Sequence, residues 1–212
     1  MRVEIRAVPE DNNPKECIKK AALEALVDET VRVPGSFTSA LFHPRPWERF
    51  KECTRPRASV EFSAGGFFIA RGEEDYLKFA EGILSIGALA RGRFGRALQL
   101  AELTGTRLLA DPVDEGIRLS FAGFYGVVGL SPGGVTFSTE DSAVRVPLGD
   151  FLSAEECFLS SLTFDLGELF EVCSKHGLER AFLENTRQVR LLLKVVGYEN
   201  GLEDWDGKGI PP

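Results

Sequence analysis

Residues 2–8 alternate charged and apolar side chains, with Val3, Ile5 and Ala7 on one face, the pattern of a half-buried strand. Asn13-Pro14 then supplies an N-cap and a first-turn proline, which predicts a helix carrying Ile18, Ala21, Ala22, Ala25 and Leu26 inward. Pro34, Pro44, Pro46 and Pro56 each fix φ and remove a backbone donor, so residues 31–57 read as a long connection with short elements inside it. Residues 58–71 predict a hairpin: Ser59-Val60-Glu61-Phe62, a turn at Ala64-Gly65-Gly66, then Phe67-Phe68-Ile69-Ala70.

From Glu73 the period becomes helical, with Tyr76, Phe79, Ala80, Ile83, Gly87, Ala90, Phe94, Ala97 and Ala101 three or four apart. Gly92 and Gly95 predict a kink or a break into two helices there. Short strands are expected at 107–110, 117–121, 125–130, 135–138 and 143–146, with turns at Asp111-Pro112, Ala122-Gly123, Ser131-Pro132-Gly133-Gly134 and Glu140-Asp141. Connections this short favour an antiparallel meander. Leu166, Leu169, Phe170 and Cys173 form a helical stripe ending at Gly177, and a further helix fits 178–193. Residues 189–196 fit a buried strand as well as a helix.

Helices and strands thus fall into blocks rather than alternating, which predicts an α+β fold: an antiparallel sheet or meander with several helices packed on it. A length of 212 residues suits one domain, expected over 1–200, with 201–212 as a loose C-terminal tail. Phenylalanine stands at 16 positions, and because its ring fills volume without a polar atom to satisfy, most of these are expected in the core.

The N-terminal segment carries charges at every second residue and lacks the apolar run of a signal peptide, and the longest apolar stretch, 83–90, is about half of what spans a bilayer. A cytoplasmic protein without a membrane partner is the expectation. Cys17, Cys53, Cys157 and Cys173 show no C-x-x-C pairing and are expected as reduced, buried thiols.

The net charge of −7 is uneven. Residues 1–106 hold 16 Lys+Arg against 15 Asp+Glu, a net of +1, whereas residues 107–212 hold 9 against 17, a net of −8. That balance disfavours nucleic-acid binding, which needs clustered cations, and fits a basic protein partner.

Candidate chemistry is sparse. Gly82, Gly87, Gly92 and Gly95 lie inside a helical pattern with no following Gly-Lys-Ser/Thr, so close packing and a kink explain them, and no cofactor is implied. Of the two histidines, His43 lies in a Pro-flanked stretch, and His176 follows Cys173 by three residues on one helix face, which could pair a thiol with an imidazole or form half of a metal site with Cys157 as the nearest further ligand. The apolar stripe explains Cys173, and the helix dipole suits His176. The acidic runs Glu73-Glu74-Asp75 and Glu155-Glu156 read as helix starts, and Asp114-Glu115 and Glu140-Asp141 as turns. Neither a Gly-x-Ser-x-Gly elbow nor His-Glu-x-x-His is present. Arg45, Arg49, Lys51, Arg55 and Arg57, interleaved with Trp47 and Phe50, form a basic cluster expected to lie on a solvated loop face and pair with the protein's own acidic half.

At the C-terminal end Tyr198, Glu199, Glu203, Asp204, Trp205 and Asp206 set two aromatics among four carboxylates, the composition of a segment that anchors in a basic groove. The expected function is therefore a non-enzymatic interaction module of inhibitor, immunity or adaptor type. A nuclease toxin would be one suitable partner, because its phosphate-binding groove is basic. The alternative is an enzyme with a loop-assembled site around His43 or Cys173/His176.

Overall fold

The computed structural model describes residues 1–9, 16–23 and 50–198. Within them lie seven helices and two antiparallel sheets, an α+β fold around one hydrophobic core. Sheet A has the order β1 (Val3–Pro9), β2 (Arg57–Ala64), β3 (Phe67–Asp75). Sheet B is a simple meander of β4 (Asp111–Val113), β5 (Gly116–Phe121), β6 (Phe124–Ser131), β7 (Gly134–Ser138) and β8 (Ala143–Pro147). The helices are α1 (16–23), α2 (50–54), α3 (Tyr76–Ala90), α4 (Phe94–Thr104), α5 (Leu148–Lys175), α6 (Glu179–Asn185) and α7 (Arg187–Val196). Among the described residues no helix is long and apolar enough to cross a membrane.

Alternation in β2 sends Ala58, Val60, Phe62 and Ala64 into the core, and Gly65 and Gly66, both at positive φ, close the hairpin to β3. The central element is α3. Its interior is apolar on nearly every side, and it is buried from Tyr76 to Ala88 except at Lys78, packing against both sheets, α5 and α7. Asp75 caps it, its Oδ1 accepting from the Lys78 amide at 3.0 Å. At Gly82 the helix comes so close to Phe121 that a Cβ would lie 3.0 Å from the ring, so glycine sets this spacing.

Phenylalanines tie the layers together. Phe62 of sheet A meets Phe137 and Phe151, Phe79 of α3 meets Phe121 and Phe158, and Phe124 joins Phe121 to Phe137, all with centroids 5.1–6.1 Å apart. Each such contact contributes about 0.5–1.5 kcal/mol beyond the burial of its rings. A polar clasp joins the sheets as well: the Arg71 amide donates to the Ala122 carbonyl at 2.8 Å, and the Ala122 amide donates to Glu74 Oε2 at 3.1 Å.

Several expectations require correction. The predicted helix from Glu73 begins at Tyr76, because Glu73, Glu74 and Asp75 complete β3 against Ser59, Ala58 and Arg57. Residues 107–110 are not a strand; Leu108 and Ala110 are buried, but the Leu109 amide donates to Glu81 Oε1 at 2.5 Å instead of to a ladder. Asp111-Pro112 belongs to β4 rather than to a turn. Glu155-Glu156 lies well inside α5, which starts at Leu148 after Pro147. Residues 189–196 are helical, within α7.

The cysteines also differ from expectation. Cys17 and Cys53 form a disulfide between α1 and α2, their Cα atoms 5.4 Å apart across 36 residues of sequence. Only the fold brings them together, since their spacing carries no pairing signal. Cys157 is a free, exposed thiol, and Cys173 is free and buried as expected. The predicted helix start at Asn13-Pro14, most of the connection at 31–57 and the tail at 201–212 lie outside the described residues.

Candidate functional site

Helix α5 has two distinct faces. Phe151, Glu155, Phe158, Leu159, Leu162, Leu166, Leu169 and Cys173 recur at helical spacing and face the core. On the opposite side Ser153, Cys157, Ser160, Phe164, Gly167 and Glu171 follow one another at intervals of three or four residues, and all but half-buried Gly167 are exposed. Phe164 is 67% exposed, with Ser160 one turn before it and Glu168 one turn after. Outside the core the helix carries Asp150, Glu156, Asp165, Glu168 and Glu171 against Lys175, five acids to one base, while Glu155 is buried. Phe164 is thus an uncovered aromatic among small residues and carboxylates, as exposed as Phe67 at the start of β3.

The C-terminal end of α7 meets the same face. Gly197, at φ 81°, ends the helix, and the Tyr198 amide turns back to the Leu193 carbonyl at 3.0 Å. The Tyr198 hydroxyl then lies 2.6 Å from the Ser160 hydroxyl, one turn from Phe164. Of the six residues proposed for partner binding only Tyr198 is described; Glu199, Glu203, Asp204, Trp205 and Asp206 lie outside the described residues. Phe164 was not singled out from the sequence, although its place opposite the Leu162, Leu166 and Leu169 stripe was a signal that could have found it.

The buried polar groups are built into the fold. Glu155 is fully buried; its Oε2 accepts from Arg91 at 2.6 Å, whereas Oε1 has no hydrogen-bond partner. Burial pushes this carboxyl up to about 7, against the opposing pull of Arg91. The same arginine donates to the Gly87 carbonyl, and Arg93 donates to the Val195 carbonyl at the end of α7. Burial likewise raises Glu81 and Asp165, and the Tyr76 hydroxyl donates to Asp165 Oδ2 at 2.7 Å. Glu74 moves the other way: burial opposes ionisation, but bonds from Lys78 and from the Ala122 and Asp75 amides together hold the carboxyl below its ordinary value.

Of the residues of the alternative enzyme centre, Cys173 and His176 are described. Cys173 is fully buried, and burial, reinforced by Glu179, pushes its thiol up to about 12, far from thiolate chemistry at neutral pH. His176 caps α5, bonded through its amide to the Cys173 carbonyl. Cys157 lies about 24 Å along the same helix from Cys173 at 1.5 Å per residue, on the opposite face. Among the described residues no group of three or more His, Cys, Asp and Glu side chains is placed to hold a metal ion. His43 lies outside the described residues.

The basic cluster is partly accounted for. Arg55 pairs with Asp75 at 2.8 Å and Arg57 with Glu73 at 3.7 Å, so these two cations are matched by acids of the N-terminal half and not, as expected, of the acidic C-terminal half, because β3 runs beside β2. Arg45, Arg49 and Trp47 lie outside the described residues, and Phe50 is core. Comparison of the chain with protein-family models, with curated proteins and with solved structures finds no match.

Proposed function

We propose that the exposed face of α5, centred on Phe164 and flanked by Tyr198, docks a basic surface of a partner protein. One observation carries this reading: a 67% exposed phenylalanine stands on a helix with five acids outside the core and one base, a turn from the serine that holds Tyr198. Uncovered aromatics are the residues that anchor interfaces, and surrounding carboxylates steer and orient a cationic partner. In sequence, Glu199, Glu203, Asp204 and Asp206 follow Tyr198 with Trp205 among them, so the acidic character continues from the same point. An inhibitor, immunity or adaptor role fits this surface, and a nuclease toxin with a basic phosphate-binding groove is one partner of the required chemistry. The buried Cys173 thiol weighs against the enzyme reading.

The test is to recover a partner from native lysate, purify it, and measure one-to-one binding to the whole chain. Phe164→Ala is expected to weaken binding about 30-fold, the loss of about 2 kcal/mol typical of an anchoring aromatic. Glu156→Lys with Glu168→Lys should slow association and flatten its salt dependence. Binding unchanged by Phe164→Ala would overturn the proposal.

A further inference from the structure

The disulfide joins two helices that are attached to the body in different ways. Helix α2 is anchored independently of it: Phe50 is fully buried, Asn185 of α6 donates to the Thr54 hydroxyl, and Arg55 pairs with Asp75 at the cap of α3. Helix α1, described over residues 16–23, contributes Ile18, Ala21 and Ala22 to the core. The bond closes a loop of 36 residues, so breaking it returns chain entropy that works against the hold on α1, whereas α2 keeps contacts of its own. The two sulfurs also differ in access, because Cys53 is 2% exposed whereas Cys17 is only half-buried. One end of the bond is reachable by an external thiol, and the other is sealed in the core.

We infer that the Cys17–Cys53 bond is a redox-operated clasp that holds α1 and its apolar stripe against the body and releases them on reduction. This inference is independent of the docking face on α5. A thiolate from glutathione or a dithiol attacks Sγ of Cys17, the S–S bond breaks, and Cys53 leaves as a thiolate that takes up a proton. A second thiolate then displaces Cys17 from the mixed disulfide. In sum, two reductant thiols become one disulfide while Cys17 and Cys53 become two thiols. The buried contacts of α2 persist, and what changes is whether Ile18, Ala21 and Ala22 stay covered.

The whole chain, oxidised and then reduced with dithiothreitol, tests this by alkylation under denaturing conditions and by hydrogen exchange read by mass spectrometry. The oxidised chain should show two alkylatable thiols, Cys157 and Cys173, and the reduced chain four. On reduction, amides of 16–23 are expected to exchange about tenfold faster or more, while those of 58–198 change by less than about twofold. Cys17→Ser should reproduce that pattern without reductant, and Cys157→Ser should respond to reductant as the natural chain does. Four reactive thiols before reduction, unchanged exchange at 16–23 after it, or loss of protection throughout 58–198 would each overturn the inference.

Discussion

A Cβ placed on Gly87 would lie 1.8 Å from Oε1 of Glu155, so the glycine of α3 makes the space that the buried carboxylate of α5 occupies. The carboxylate has little room to yield, being fully buried and held through Oε2 by Arg91, whose Nη1 would itself be 3.0 Å from the same Cβ. Gly87→Ala is therefore expected to destabilise the protein by about 2–3 kcal/mol, although alanine alone favours a helix by about 1 kcal/mol over glycine. In urea melts the loss should shrink markedly when Glu155→Ala is combined with it, because the double variant removes the clash. Additive losses would show that the two residues do not compete for that space.

The same carboxyl makes stability depend on pH. Its value in the folded protein is raised by burial to about 7 from an ordinary 4.5, so the folded state holds the proton more tightly than the unfolded chain does. The resulting stability is fully present below about pH 4.5 and is lost as pH rises to about 7, a change on the order of 3 kcal/mol. Glu81 and Asp165, also raised, slope the same way, and Glu74, lowered, slopes the opposite way. Glu155 is isolated by subtraction: the difference in unfolding free energy between the natural chain and Glu155→Gln should vary between pH 4.5 and 7 and be flat above. A constant difference across that window would rule out a raised carboxyl here.

Where glycine or an apolar period fixes the backbone, the fold was legible in the sequence. Gly65 and Gly66 marked the hairpin, Gly92 marked the break between α3 and α4, and the outer spacing of α3 marked its burial. Where one group takes a partner far along the chain, it was not. Residues 107–110 have the short apolar run of a strand, yet Glu81, 28 positions away from Leu109, takes the amide that a ladder would need. Glu155 looked like half of an acidic helix start, although its place between Phe151 and Phe158 put it on the inward stripe. The disulfide is the extreme case, since two cysteines 36 residues apart acquire meaning only when α1 and α2 are packed. On the candidate site, the sequence indicated Tyr198 and the acidity, while Phe164 emerged from the exposure of one helix face.

Ala122 has φ 46°, the one described non-glycine residue in the left-handed region, at the turn between β5 and β6. An L-residue there costs about 1–2 kcal/mol, which the bonds to Arg71 and Glu74 offset by fixing the turn against β3. Ala122→Gly relieves that strain but gives up a buried methyl and adds unfolded-chain entropy, so thermal melts should show a change within about 1 kcal/mol of zero. Ala122→Val has no such relief, because a branched Cβ is far less compatible with positive φ, and a loss of about 2 kcal/mol or more is expected. Similar melting temperatures for the glycine and valine variants would show that the turn conformation is not the constraint.

Tyr76 and Asp165 offer a spectroscopic check on how α3 and α5 meet. Burial, with the neighbouring carboxylate, raises the phenol of Tyr76 well above its ordinary 10, and the hydroxyl donates to Asp165 at 2.7 Å. Ionising this phenol would set two negative oxygens side by side in a largely buried space, so the group should keep its proton for as long as the fold persists. In an alkaline absorbance titration, the natural chain and Tyr76→Phe are expected to give the same phenolate signal up to the pH of unfolding, and to differ by one tyrosine beyond it. Tyr76→Phe should also cost about 1–2 kcal/mol, since a half-buried carboxylate loses its donor. A difference of one phenolate while the protein is still folded would mean that Tyr76 is open to solvent and that the helices do not meet through this bond.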